Sequence, residues 1–438
     1  MNAPSARRGA EGPMPSSSAR FLEEPAGEVD VAIVGAGAAG IAAARRLLAS
    51  GLTVAVLEAR RRVGGRAATT LLNGHPVDLG AHWLHNGPIN PLVRLGRARG
   101  EPLRPAPGER HLFIGSRPAT RAERAALARA FALADAAIGR AMAGPDRPAA
   151  SVLPPLGPFG RRVVATEGLV SGRPFGEVSL HDVPDMAYGD NLFVAGGLGA
   201  YVARLARGLP VRLATAARSL DWSGEGVRIG TGAGTLRARA AVVTLPMAVL
   251  QREGLRFTPA LPVPVQEAIH GFLPGVYEHV ILHWPDAPFR GPDRLAGLLS
   301  GPGSGHEEPP GLLTRIDGTP FHFFELDLPA ASRFDGRDPD APGRYARAVL
   351  ADRFGPRAIR RLRVCRSTAW RHDPLSRASW AVVPPGLVPI RDRLRAPVGE
   401  RIWFAGEALS RAQWGTVGGA WEEGERAASE IAARLRRG

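Results

Sequence analysis

Residues Val29–Arg66 read VDVAIVGAGAAGIAAARRLLASGLTVAVLEARRRVGGR. The apolar run Val31–Val34 predicts a buried strand, and Gly35, Gly37 and Gly40 lead from it into an alanine-rich helix. Each glycine has its own reason in a dinucleotide-binding turn. Gly35 permits the tight turn, Gly37 lets backbone approach a pyrophosphate, and Gly40 lets helix and strand pack closely. The pyrophosphate would rest on the unpaired N–H groups at Ala38 and Ala39, at the positive end of the helix, an interaction worth about 0.3 to 2 kcal/mol. A second strand ends at Glu58, 18 residues after Gly40. Its carboxylate can bond ribose hydroxyls, and it repels a 2′-phosphate, so FAD or NAD is expected rather than NADP. Alone, the glycine pattern is a weak signal; the strand, helix and correctly spaced acid together make it specific. Ala59, Arg60 and a second glycine turn, Gly64-Gly65-Arg66, follow. Arginines on such a turn can meet the far side of a long cofactor's diphosphate, which favours FAD.

At this point the sequence resembles the flavin-containing amine oxidases, the monoamine, polyamine and lysine-specific demethylase types. The resemblance extends to DLGAHWLH at Asp78–His85, similar to the family's segment beneath the flavin and including Gly80, Ala81, His82 and Trp83. It also covers VVTLPMAVL at Val242–Leu250 and RIWFAGEALSRAQWGTVGGAWEEGER at Arg401–Arg426. In the last stretch a strand, Ile402–Ala405, would deliver Gly406 and Glu407 to a turn where a buried acid can bond ribityl hydroxyls. Gly415, Thr416 and Val417 then open the final helix, whose N–H groups can face the flavin's pyrimidine carbonyl and stabilise the anionic reduced ring. Ala217 falls where the family commonly places a valine against adenine. The resemblance implies an α/β protein of two domains, a Rossmann-like FAD domain and a substrate domain of mixed sheet and helices.

Length and composition fit. At 438 residues and about 150 residues per domain, two or three domains are expected. Residues 1–28 read as a disordered tail, residues 29–95, 190–256 and 390–438 as the discontinuous FAD domain, and residues 96–189 and 257–389 as the substrate domain. One long helix is predicted over Arg121–Ala143, between Pro118 and Pro145. No run of 18 apolar residues is present, so no membrane-spanning helix is expected, and Arg7-Arg8 is followed by no apolar stretch, which points to a cytoplasmic protein. The single cysteine, Cys365, excludes an internal disulfide and a cysteine-rich zinc site, and no metal is expected. All 56 basic residues are arginine and the net charge is +15. The arginines are scattered without an aromatic-interleaved basic stripe, so no nucleic-acid partner is expected; a monomer or homodimer is.

The resemblance also implies the chemistry. A neutral amine presents its α C–H to flavin N5, a hydride moves, and the imine hydrolyses. The protein orients the amine and excludes water in an apolar chamber, for which Trp370, Trp380 and Trp414 are the candidate walls. Trp370–Trp380, WRHDPLSRASW, resembles the stretch whose aromatics face the flavin. Ser379 or a neighbour stands where monoamine oxidases carry a cysteine joined to the cofactor, so FAD should be held non-covalently. Thr416 takes the place of the family's second cage aromatic. His85 falls beside the substrate nitrogen of polyamine-type members. His279 aligns with the lysine that most members use to hold a water at N5, and imidazole, with its lower reference pKa, gives less electrostatic help to oxygen. The favoured reading is oxidation of a small primary or secondary amine, polyamines among the candidates, with oxygen as acceptor. The alternatives are an amino-acid oxidase, which would need an arginine facing the pocket, an amine dehydrogenase with another acceptor, and a non-catalytic flavin-binding partner protein. Chromatin-type demethylation is disfavoured, because the chain has no room for the long coiled-coil insertion of such enzymes.

Overall fold

The computed structural model describes residues 28–107, 110–186, 189–299, 308 and 311–437; residues 1–27 of the expected tail lie outside them. The apolar run at the start becomes the strand Glu28–Val34, with Val31 and Ile33 in the core on one face and Ala32 and Val34 in the core on the other. A strand buried on both faces reads as a continuous apolar run, as parallel strands do. It pairs in parallel with Val54–Leu57 on one side and with Gly234–Val243 on the other. Ile402–Phe404 adds in parallel to the end of Gly234–Val243. The eight-stranded sheet is completed by Val211–Arg212 at one edge and by Val227–Thr231, Ala217–Asp221 and Arg256–Thr258 towards the other.

Register decides where the site lies. Val34 pairs with Leu57 and with Val243, and Val243 pairs with Phe404, so four strands end level. The residues that follow, Gly35, Glu58, Thr244 and Ala405, therefore gather along one edge, the carboxyl edge where open α/β sheets bind ligands. Helices Ala38–Ala49, Val417–Leu435 and Leu198–Leu205 cover one face. The helix Val263–His270, Phe272 and Val383, assigned by sequence to the substrate region, pack under the other face with Ile390–Arg395. Apolar residues on both sides of the boundary close that face, which a linear division of the chain does not show.

The second sheet has seven strands in the order Arg363–Ser367, Glu278–His283, Phe321–Leu326, Leu312–Thr314, Arg294–Leu299, Arg110–Ile114, Arg117–Pro118. Its pairings are antiparallel except Arg294–Leu299 with Arg110–Ile114. The predicted long helix is present as Arg121–Ala141 and starts with a capping box, Thr120 and Glu123 each bonding the other's backbone N–H. With Gly160–Ser171 it forms a helical wall beside this sheet. The sequence thus resolves into a cofactor-type sheet and a mixed sheet with helices, the expected α/β class.

Candidate active site

One cavity of about 990 Å³ runs from the carboxyl edge of the first sheet into the space between the two sheets. At its first end Glu58 is fixed before any ligand arrives, one carboxylate oxygen accepting from Ala36 N and the other from Arg60 N, both at 2.8 Å. Gly64 N donates to Ala36 O at 2.8 Å, which locks the second glycine turn onto the first. Gly35 has a φ of +106°, a region L side chains rarely adopt, and a Cβ on Gly37 would meet nothing within 4 Å. That open space, the N-terminus of the Ala38–Ala49 helix and Arg66 make a cradle suited to a diphosphate. The expected cofactor residues Gly35, Gly37, Ala38, Ala39, Glu58, Ala59, Arg60, Gly64, Gly65, Arg66, Gly80, Ala81, His82, Trp83, Ala217, Trp370, Gly406, Glu407, Gly415, Thr416 and Val417 all line this one cavity.

Gly40 does not line it. A Cβ there would sit 1.9 Å from Gly35 O, so Gly40 serves the close approach of helix to turn. Arg60 pairs with Asp373 at 2.7 Å, so its guanidinium is shared between the cradle and a salt bridge. Arg66 pairs with Glu407 at 3.1 Å and thereby joins the two ends of the chain at the cavity.

The other end of the cavity is aromatic. Trp370 donates its indole N–H to Leu79 O at 3.1 Å and lies against Gly80. Its loop is held by buried Glu278, which accepts from Thr368 Oγ1 at 2.5 Å and from Arg371 N at 3.0 Å. Trp380 donates to Ser171 O at 2.9 Å and stacks on Tyr277 with centroids 5.9 Å apart and planes at 30°. The Tyr277 hydroxyl donates to Glu325 Oε1 at 3.0 Å, and both residues line the cavity. Tyr277, Phe323 and Glu325 were not among the sequence-derived candidates. The period of two along Tyr277-Glu278-His279 would have placed Tyr277 on the face of His279. Glu325 needed the register, in which it pairs directly with His279.

Two candidates take other roles. Trp414 is buried away from the cavity lining, its indole N–H on Asp182 O at 3.4 Å and its ring under the Arg391 guanidinium, so it is core packing and not a cage wall. Thr416 lines the cavity but uses its hydroxyl to cap the last helix, accepting from Gly419 N at 3.0 Å. A short hydroxyl with that duty cannot replace an aromatic, and Tyr277 stands beside Trp380 instead.

His85 Nδ1 lies 3.2 Å from Asn191 Oδ1 and its ring stacks on Trp83. His279 is 1% exposed, lies 3.3 Å from Asp78 O through Nε2 and packs on Phe323 at 4.3 Å. Burial pulls His85, His279 and His322 each down to about 4. Unfolding returns each to about 6.5, so between these values the unfolded chain binds more protons and stability falls as pH falls, by about 1.4 kcal/mol per pH unit per histidine. Buried acids whose folded pKa is raised, Glu278 to about 7 together with Asp182 and Glu423, act in the opposite sense. His322 lies outside the cavity lining, its Nε2 3.2 Å from Trp284 O and its Nδ1 accepting from Arg315 N at 3.3 Å. His322→Gln is expected to flatten the acid-side decline in denaturant-derived stability by about 1.4 kcal/mol per pH unit; an unaltered slope would remove buried neutral histidine as its cause.

Comparison with known proteins decides the family. The model of flavin containing amine oxidoreductases matches residues 175–432, and that of an NAD(P)-binding Rossmann-like domain matches residues 33–95. The chain belongs to the flavin containing amine oxidoreductases. It is 28% identical over 447 residues to lysine-specific histone demethylase 1 homolog 1 of Oryza sativa subsp. japonica, covering 93% of this chain and 52% of that protein. The chain spans about half the length of the demethylase relatives it matches. It is also 28% identical to polyamine oxidase 2 of Arabidopsis thaliana, covering 92% of this chain and 88% of that one. In structure it is similar to wild-type putrescine oxidase bound to putrescine, with a TM-score of 0.72, 21% identity, and coverage of 93% of this chain and 99% of that chain. At that identity the likeness shows the fold.

Proposed function

We propose that this flavoprotein oxidises a small primary or secondary amine, a diamine or polyamine among them, with FAD held non-covalently. The observation that supports this reading is continuity. The dinucleotide cradle at Glu58 and the aromatic chamber of Trp370, Trp380 and Tyr277 are two ends of one cavity, with the Glu325 carboxylate in the chamber wall. FAD in the cradle supplies a two-electron acceptor for the amine's α C–H. The chain's own residues do the rest. Trp380 and Tyr277 flank the amine, each aromatic contact worth about 0.5 to 2 kcal/mol, and the apolar walls exclude water. His85 and His279 are neutral near pH 7 and so do not repel a cationic substrate. Non-covalent binding is supported by Ser379, whose hydroxyl bonds Tyr277 O at 2.7 Å at the cavity wall, and by Cys365 lying exposed on another strand.

A carboxylate at Glu325 suits a second cationic nitrogen. Loss of a charge-assisted hydrogen bond costs about 1.5 to 3 kcal/mol, so Glu325→Gln is expected to raise KM for diamines by about tenfold to a hundredfold while monoamines are unaffected. Equal effects on both would count against a distal-amine role. An α-amino acid is the second reading, favoured by Arg162, which is buried and lines the same chamber. An anaerobic panel of monoamines, diamines, polyamines and amino acids, read by bleaching of the flavin band, distinguishes these. A flavin that stays yellow with every one would favour a non-catalytic flavin-binding role.

Admission of air then tests oxygen as acceptor, with hydrogen peroxide as product. Because His279 is neutral, His279→Lys is expected to speed reoxidation by about tenfold, equivalent to about 1.4 kcal/mol of charge stabilisation. Stopped-flow reoxidation at an unchanged rate would reject this role for position 279.

A further inference from the structure

Two imidazoles in the cavity wall carry ring nitrogens without a hydrogen-bond partner among the described residues, His82 Nε2 and His279 Nδ1. Both rings are more than nine-tenths buried and both line the cavity. Both also lie against Phe323, His279 at 4.3 Å and His82 edge-on at 5.5 Å between centroids.

Their partnered nitrogens meet the same residue in two chemically different ways. His82 Nδ1 lies 2.8 Å from the Asp78 carboxylate. An ionised carboxylate only accepts, so Nδ1 carries the proton and Nε2 the lone pair. His279 Nε2 lies 3.3 Å from the Asp78 carbonyl, so there Nε2 carries the proton and Nδ1 the lone pair. The difference is charge compensation. A second proton on His279, at Nδ1, would meet no hydrogen-bond acceptor among the described residues, whereas a second proton on His82 would complete an ion pair with the Asp78 carboxylate already bonded to its Nδ1. The Asp78 carboxylate is itself fixed, accepting from Thr69 Oγ1 at 2.5 Å and, at the start of the Leu198–Leu205 helix, from Leu198 N at 3.0 Å and Gly199 N at 3.1 Å. The other faces of the His82 ring meet Phe193 and Phe323. The charged or titratable groups around it are Asp78, His279 and, beyond Phe193, Arg104, which is bound to Asp293 and Asp317.

We propose that His82, backed by Asp78, is the proton store of this site, taking the proton an ammonium substrate must lose before oxidation and returning it when the reduced flavin is reoxidised. The proposal rests on the amine-oxidation reading, and its bookkeeping closes. R–CH2–NH3+ gives R–CH=NH2+ while oxidised flavin takes up a hydride to become its anionic reduced form, and one proton is left over. With oxygen as acceptor, oxidation of the anionic reduced flavin yields hydrogen peroxide and consumes one proton. His82 Nε2 binds the first and supplies the second, so over the cycle R–CH2–NH3+ and O2 become R–CH=NH2+ and H2O2. The positive charge that neutral His279 lacks is then present on His82 while the flavin is reduced.

The test needs no amine, so its failure is separate from failure of the amine panel. FAD-loaded wild type and His82→Gln are titrated potentiometrically under anaerobic conditions at several pH values near neutrality. Wild type is expected to take up two protons with its two electrons, the variant one, read from the slope of midpoint potential against pH; equal slopes overturn the proposal. Should the variant fold poorly, histidine ¹⁵N spectra of wild type before and after photoreduction decide. Protonation of His82 Nε2 on reduction is expected, and a ring that keeps its lone pair overturns the assignment.

Discussion

Gly40→Ala is expected to yield a chain that purifies with little or no flavin and unfolds many degrees lower than wild type. The added Cβ would sit 1.9 Å from the carbonyl oxygen of Gly35 and 3.3 Å from the Ile33 side chain. The near atom is backbone, so relief must come from moving the Ala38–Ala49 helix or the Gly35 turn. Neither can move alone. Gly35 N is bonded to Leu57 O at 2.8 Å. Across the helix, Gly424 brings Val417–Leu435 so close that a Cβ there would meet Ala39 O at 2.1 Å. Overpacking against such surroundings costs about 3 kcal/mol or more. The same displacement carries the N–H groups of Ala38 and Ala39 away from the diphosphate cradle, so stability and cofactor content should fall together. Flavin absorbance per chain and a thermal melt measure the two effects, and wild-type values in both would refute the close-approach role. Gly37→Ala is the control. It meets nothing within 4 Å, so it should fold normally and lose affinity only for the cofactor.

Asp182→Ala should cost about 3 to 5 kcal/mol of unfolding free energy, the typical penalty for stranding one member of a buried ion pair. Asp182 and Arg391 are both fully buried, and the guanidinium makes a fork of two hydrogen bonds to the carboxylate while its Nε donates to Ala408 O at 2.9 Å. The Trp414 ring, 5.4 Å from the guanidinium carbon, closes the far side. Removing the acid leaves a cation with no route to water. Arg391 belongs to the Ile390–Arg395 helix under the cofactor sheet and Asp182 to the Leu180–Met186 turn of the helical wall. The loss should therefore also loosen the junction between the two halves. Denaturant unfolding of Asp182→Ala and Asp182→Asn measures it, and a cost under about 1 kcal/mol for the alanine variant would show that the pair is not structural.

What was legible in the sequence was local. The turn at Gly35–Gly40 and the acid at Glu58 follow from residue types at fixed offsets, because backbone geometry and orphan N–H groups impose those offsets. The start of the final helix at Gly415–Val417 follows from the family resemblance, whereas the Thr416 cap is seen only in the structure. The chamber was less legible, since its walls are set by register and by contacts across long stretches of chain. Tyr277 reaches Trp380, and Glu325 faces His279, only once three segments have paired. Trp414 looked like a wall because an aromatic near the last helix is compatible with either role. The Asp182–Arg391 pair that claims it could not be inferred from spacing. Likewise nothing in the order of residues shows that Val263–His270 closes the underside of the first sheet, since an apolar helix face does not name its partner.

The strand Gly234–Val243 holds Glu28–Val34 on one flank and Ile402–Phe404 on the other. Val227–Thr231 covers the Gly234–Ala238 part of that second flank, but during synthesis at about 5 to 20 residues per second its Ala241–Val243 end stays bare for roughly 10 to 30 s after it leaves the ribosome. Throughout that interval an apolar β-edge, Ala241-Val242-Val243, is open to any passing strand. Yield of this protein in a cell should therefore depend on chaperone supply and on translation speed between residues 243 and 402.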